Sequence, residues 1–445
     1  MKSFLKSSYR FFISLKLAVT TLSLLAFFTA IGTFIESRYD QETANKIIYH
    51  SWVMGFVLTL LALNLFFVLV DRWPWKKRQI GFVFAHIGIL TMILGSIITK
   101  YLGLDASLKF KEGESVSFVQ LADREIKIYS SYDGAKFTLL YQKDVDFLFQ
   151  RPRPKEPFVI DVAQEQFFID QYLPYGNPRE SYKKAKKGEP AVRFYLEGQM
   201  GNFVDWIQLE KGEKTKTKPM GPASITLTKN RHYKQKHPKE LILFVVNSKL
   251  FYRDHLSKKK LNRGQTFQTP WMDFKFRLID FLPTSKREIT FHPQKTSSSK
   301  TLKAIQVRYK KNVSWIGENS YARFYTSKEV YAFGYVNKTQ SLGFDLKLID
   351  FHRTKYQGSP KDKTYESEVE VFGERKLITM NEPLKYKGYT FYQSSFEEDE
   401  KGEATISILS VNRDPGRWVK YAGSFLIVLG IALLFLKRKL FQRKK

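Results

Sequence analysis

The chain has 445 residues, with 73 Lys+Arg against 43 Asp+Glu, a formal net charge of +30 and no cysteine. The lack of cysteine excludes structural disulfides, thiolate catalysis, iron–sulfur clusters and Cys-based zinc sites. A basic excess of this size fits nucleic acid or a membrane surface, and the placement of the charges decides between them.

Apolar runs of about 20 residues are long enough to cross the hydrocarbon core of a bilayer. Four are present in chain order, at roughly 13–35, 52–70, 80–101 and 418–436. The first, ISLKLAVTTLSLLAFFTAIGTFI, is too long for a signal peptide and lacks a small-residue cleavage pattern, so a retained anchor is expected. Flanking charges orient the four. Lys2, Lys6 and Arg10 precede the first run, the loop DRWPWKKRQ between runs two and three holds Arg72, Lys76, Lys77 and Arg78, and the tail KRKLFQRKK at 437–445 is basic throughout its charged positions. The loop between runs one and two instead carries Glu36, Asp40 and Glu42. The positive-inside rule then places both termini in the cytoplasm and 102–417 outside a bacterial cytoplasmic membrane. The expected organisation is three transmembrane helices within 1–101, an extracytoplasmic domain at 102–417, a fourth helix at 418–436 and a short cytoplasmic tail. No GxxxxGKS or GxxxxGKT is present, and the cytoplasmic stubs are too small for a kinase or ATPase.

Residues 102–417 alternate apolar and polar positions in segments such as REIKIYS, KFTLLY, ASITLT and FDLKLIDF, separated by turn-rich or Lys-rich pieces. That period predicts strands with one buried face and an all-β, sandwich-like domain of two packed sheets. FKFRLIDFLPTSK at 274–286 and FDLKLIDFHRTKY at 344–356 share an F-x-x-x-L-I-D-F core, and PFVIDV at 157–162 is a looser third copy. Duplication of a β subdomain and convergence of edge-strand patterns both fit this echo. No HExxH or GxSxG occurs. His232, His237, His255, His292 and His352 stand in Lys- or Pro-rich polar settings and are read as surface residues.

Two histidines remain. His50, in IIYHSWVMGF, is placed at the outer mouth of the second span beside Trp52, as an interfacial residue or an outward-facing ligand. His86, in GFVFAHIGILTMILGS, lies six residues into the third span, about 9 Å from its start at 1.5 Å per residue. An imidazole cannot snorkel from that depth, so it requires a partner. A hydrogen bond to Asn64 or to a backbone carbonyl is one solution and ligation is the other. On a helical wheel Gly81, Ala85, Gly88, Gly95, Ser96 and Thr99 form a small-residue stripe suited to packing within the chain. His86 falls among Phe82, Val83, Ile89, Leu90, Ile93 and Ile97, a bulky face that favours an external partner or ligand. An axial ligand to a flat apolar macrocycle needs such a setting, and so does a helix docking on a partner's polar group.

The segments SLKLAVTTLSLLAFFTAIGTFI, YHSWVMGFVLTLLALNLFFVLVDRWP, GFVFAHIGILTMILGSIIT, FDLKLIDFHRTKYQGSPKDKTYESEVEV, NEPLKYKGYTFYQSSFE and RDPGRWVKYAGSFLIVLGIALLF together resemble the cytochrome c biogenesis protein ResB (CcsB) family. The resemblance covers all four spans and the last third of the outside domain. It implies a haem-delivering subunit of the System II cytochrome c synthase, accessory to catalysis. Haem b would be the transported substrate, and the partners a multi-span ResC (CcsA) protein, apocytochrome c and a thiol-reducing thioredoxin-like protein. The position matching the family's membrane histidine is His86, as axial ligand to the haem iron; His50 is a second candidate. The alternative is a scaffold that stabilises the ResC partner and docks apocytochrome c without touching haem. Some relatives carry an external cysteine, and this chain has none, so any thiol role there is not expected. GYTFYQSSF is read as a buried aromatic strand.

Overall fold

Ser14 separates the helix of the first apolar run from a short helix before it. Its extended backbone and its hydroxyl, which accepts from the Leu17 amide at 3.2 Å, cap the second helix. The computed structural model describes residues 2–199, 201–254, 257–271, 273–359, 361–398 and 404–442. Helix α1 (Lys2–Phe12) precedes the cap and α2 (Leu15–Arg38) follows it. Asp40 caps the short α3 (Gln41–Ala44), which continues as a π-helical turn over Asn45–Tyr49. Ser51 caps α4 (Trp52–Asp71), and α5 (Ile80–Leu102) and α6 (Arg417–Gln442) complete the set. Four of these helices, α2, α4, α5 and the 417–436 stretch of α6, are long and apolar enough to cross a membrane. The sequence reading missed α1. It is short of apolar length, and its Tyr9 and Phe12 rings pack on Phe67 of α4, at 5.8 Å edge-on and 5.2 Å stacked.

The small-residue stripe of α5 packs within the chain, on α6. Gly81, Gly88 and Gly95 meet Gly430, Gly423 and Gly416 in antiparallel register, each seven residues from the next. A Cβ on Gly88 would stand 2.7 Å from the Gly423 carbonyl oxygen, and one on Gly81 2.8 Å from that of Gly430. Only glycine permits so close a backbone approach. At the end of the helices nearest the strands, Asp414 closes the seam: Thr99 Oγ1 donates to it at 2.6 Å and Lys420 Nζ at 2.7 Å. Burial pushes the Asp414 carboxyl up, but those two hydrogen bonds and the Lys420 charge outweigh it and hold the group below the ordinary carboxylate range.

Between the third and fourth of these helices the chain is rich in strands, as the alternating pattern predicted. It divides into two units, one comprising 1–152, 160–166 and 318–445 and the other 153–159 and 167–317. The first holds a ten-stranded sheet built from 104–145, 320–398 and 404–413. The sheet curls so that its edge strands, 374–378 and 384–386, place Ile378 and Leu384 in one core with Phe110, Leu346, Phe391 and Leu409. In GYTFYQSSF, Tyr389 and Phe391 are buried, in accord with the reading of a buried strand. Glu42 beyond α2 pairs with Arg124 of this sheet, which also bonds Glu318 at 2.8 Å, while Lys46 pairs with Asp146 at 3.1 Å. The second unit stacks a seven-stranded sheet on a five-stranded one. Phe194, Phe276 and Leu278 of the former share a core with Ile225, Leu227 and Leu243 of the latter.

The two L-I-D-F segments build the same local device. In each, a register shift falls between Leu and Asp, at Leu278/Asp280 and Leu348/Asp350. The Asp carboxylate then accepts from the next backbone amide, Phe281 at 2.9 Å and Phe351 at 2.8 Å. A glycine turn docks on the Leu in both cases, with Gly264 N donating to Leu278 O at 2.7 Å and Gly113 N to Leu348 O at 2.8 Å. The two segments thus share a bulge and a docked glycine turn as well as a sequence core, while the carboxylate cap recurs at Asp205 and Trp206 outside them.

Gly88→Val should destabilise the chain by about 1–3 kcal/mol through overpacking, read as a lower unfolding temperature in detergent. Gly55→Val on α4, where a Cβ meets nothing within 4 Å, is the control that should change little. The clasp also makes a pH prediction. Folding lowers the Asp414 pKa, so its contribution is complete above the unfolded carboxylate value of about 3.9 and fades as pH falls through the lower folded value. Unfolding temperatures followed from pH 7 downward should show this acid loss in the wild type and not in Asp414→Asn.

Candidate functional site

His86 sits on α5 with its ring turned back along its own helix. Nδ1 lies 3.0 Å from the Phe82 carbonyl oxygen, one turn earlier. A carbonyl only accepts, so Nδ1 carries the proton, and in the neutral form of the ring the lone pair is on Nε2. No protein group is bonded to Nε2 among the described residues. The ring packs on Phe82, with centroids 3.7 Å apart, and the Arg72 guanidinium lies 4.0 Å from the centroid of the same Phe82 ring. These contacts fix both the orientation and the tautomer of the imidazole.

His86 opens into a cleft of about 440 Å³ between α2, α4 and α5, a volume in the range of small-molecule sites. Its walls are apolar: Leu15, Ala18 and Leu22 from α2, Leu61, Leu65 and Val68 from α4, and Phe82 and Ile89 from α5. Polar groups gather toward the α1–α2 joint, with Ser14, Asn64, Asp71 and Arg72. Asp71 receives the Tyr9 hydroxyl at 3.1 Å. Arg72 forms no ion pair among the described residues, which leaves a cation at the mouth of an apolar cleft.

Two expectations change here. Asn64 is not the partner of His86. Its side-chain amide donates to the carbonyl of Phe12 at 2.6 Å, a group at the end of α1 without a helical partner, and to that of Ser14 at 3.2 Å, which also accepts the first bond of α2 from the Ala18 amide at 3.3 Å. The bulky face bearing His86 is also not turned wholly outward. With the glycine stripe committed to α6, part of that face meets α4, and the imidazole lines an open cleft walled by α2, α4 and α5. Phe82 stood on the face read from the wheel, but Arg72 was missed as a companion of His86 because it was counted only as an orienting charge in DRWPWKKRQ.

The structure does not bring His50 to this site. His50 ends the π-helical turn, is exposed, and donates its backbone amide to Asn45 O at 2.7 Å. It lies eleven residues before Leu61 in the chain, about 16 Å along the helix axis. Trp52 beside it is 81% exposed, as an interfacial aromatic would be. His232, His237, His292 and His352 are exposed; His237 pairs with Ser224 Oγ at 3.0 Å and His352 with Asp350 at 3.3 Å. His255 lies outside the described residues. No group of three or more His, Asp or Glu side chains suited to a metal ion occurs among the described residues.

Comparison with known proteins bears out the resemblance read from the motifs. Residues 307–410 match the ResB-like family. Protein NrfI of Wolinella succinogenes is 24% identical over 415 residues, which is 92% of this chain and 33% of that protein. The chain therefore spans about a third of the length of the curated relative it matches. The family match lies mainly in the curved sheet and includes none of the helices, so what His86 does is argued from the cleft itself.

Asn64→Leu should leave the Phe12 carbonyl unpaired at a cost of about 1–3 kcal/mol. Limited proteolysis of the variant in nanodiscs should cut between α1 and α2 at a rate at which the wild type stays intact.

Proposed function

We propose, from the ResB likeness and the histidine cleft together, that the chain serves cytochrome c maturation as a haem-delivery subunit, with haem as its cargo and His86 as an axial ligand to the iron. The observation that carries this reading is the imidazole, with Nδ1–H committed to its own backbone and Nε2 without a protein partner in an apolar cleft. A haem iron takes such a lone pair, and the carbonyl bonded to Nδ1–H raises the basicity of the ligating nitrogen. Leu15, Leu61, Leu65 and Ile89 supply walls that exclude water from the macrocycle. Arg72, unpaired at the mouth, fits a propionate. The family match further supports a multi-span ResC-type partner and apocytochrome c as acceptor. By the positive-inside argument the Arg72 end of the cleft faces the cytoplasm, where haem would enter. Release then follows by ligand exchange, when histidines of the partner compete for the iron.

The competing reading is a scaffold that holds the partner and the acceptor and never binds haem. The two separate on one variant. His86→Ala in the intact complex should lower co-purifying haem and cytochrome c yield by at least about tenfold, the loss of one coordinating ligand being comparable to second-shell losses of 10–100-fold or larger. Added imidazole should restore part of both. Unchanged haem in an assembled variant complex rules out ligation by His86. Failed assembly that imidazole does not mend supports the scaffold.

A further inference from the structure

At the end of α6 nearest the strands, a hairpin turns through Lys387 and Gly388 between Tyr386 and Tyr389. Both turn residues have positive φ, 45° and 82°, the backbone of a type I′ turn, where Asn or Gly is favoured at the first position. A lysine there is strained, so local backbone preference does not explain its presence. The hairpin forms one wall of a cavity of about 460 Å³, and Arg413, Arg417 and Trp418, which lead into α6, form the other. Lys385, Lys387, Arg413 and Arg417 line it with one carboxylate, Asp414, and Asp414 is already held by Thr99 and Lys420. None of the four cations forms an ion pair among the described residues, although Arg417 donates to Asn412 Oδ1 at 3.4 Å and its charge helps hold Asp414 ionised. Aromatic rings steady two of them: Lys387 Nζ stands 4.7 Å from the Phe372 centroid and the Arg413 guanidinium 5.6 Å from that of Tyr389.

The cavity opens where α6 begins. Trp418, Tyr421, Phe425 and Val428 are 78%, 60%, 66% and 66% exposed. Their spacing of three and four residues puts them on one face of the helix, running from the cavity down the apolar span. Exposed Trp and Tyr at a helix end mark the headgroup level of a bilayer. A cluster of unpaired cations at that level, continuous with an apolar stripe, matches one molecule with an anionic head and an acyl tail. We propose that this cavity binds the phosphate of an anionic phospholipid, between Lys385 and Lys387 on one side and Arg413 and Arg417 on the other, with an acyl chain along the Trp418–Val428 face. An acidic protein segment would need the charges and not the stripe. The site is independent of the histidine cleft and of what that cleft carries.

The test is lipid retention by the full chain, extracted from bilayers of equal phosphatidylglycerol and phosphatidylcholine and read by native mass spectrometry. The wild type should retain phosphatidylglycerol in preference. Lys385→Gln with Lys387→Gln should reduce that retention about 25-fold, at the strength of one surface cation each, while Lys77→Gln with Arg78→Gln should leave it. Both lysines are exposed, and an unchanged unfolding temperature checks that the double variant is folded; Arg413→Gln serves as a second reduction. Millimolar inorganic phosphate should not displace the lipid. Equal retention of the two lipids, no loss in the pocket variants, or displacement by inorganic phosphate alone overturns the proposal, the last by assigning the cations to a free anion. Binding of an acidic peptide that phosphatidylglycerol does not compete away overturns it in favour of a protein partner.

Discussion

The close approach of α5 to α6 is the constraint on which the rest of the molecule depends. The two helices are separated in sequence by the whole strand-rich region, and Thr99 and Asp414, which join them, are 315 positions apart. Three glycines on each side remove the side chains that would hold the backbones apart. Without a hydrophobic driving force between helices in lipid, this close packing and the Asp414 clasp close the chain together with the pairing of residues 104–111 on 406–413. Burying the glycine face of α5 on α6 also decides where its other face points. His86, on the far side of the wheel, is thereby turned toward α2 and α4.

The histidine cleft follows from that rotation, together with one local device. Ser14 and Asn64 fix the bend between α1 and α2, and α2 then stands off α5 far enough to leave space rather than to fill it. In this space the imidazole cannot swing: Phe82 holds it by its carbonyl and by its ring. A buried polar side chain would ordinarily be neutralised by a bond to a neighbouring helix. Here the bond is spent on the nitrogen that ligation does not need, and the other nitrogen is left facing apolar walls. That division of labour between the two nitrogens is what the proposed ligand role rests on.

Much of this could be read from the residues. Apolar run length gave the four helices to within a few residues, because a bilayer admits little else, and alternation gave the strands. The glycine stripe of α5 was visible, and its partner at Gly416, Gly423 and Gly430 stood in plain view at the same seven-residue spacing but went unmatched. Helix α1 was missed because eleven amphipathic residues do not resemble a span. The Asn64 bonds were beyond reach, since they depend on where the Ser14 cap ends one helix and starts the next, which leaves the Phe12 carbonyl free. The cleft itself has no sequence signature: it is a volume left between three helices. Which of the two nitrogens His86 offers is likewise set by a rotamer. The shared bulge in the two L-I-D-F segments lay between these cases, with the repeat legible and the pairing shift not.

The central claim is that haem enters this cleft and meets His86 there. The most direct measurement is the absorption spectrum of the full chain in nanodiscs during haem titration, for the wild type and for Ala18→Trp, which fills the cleft without touching the imidazole. The account predicts a saturating spectrum of imidazole-ligated haem in the wild type and its loss in Ala18→Trp. The same ligated spectrum at the same haem concentration in both proteins would contradict it.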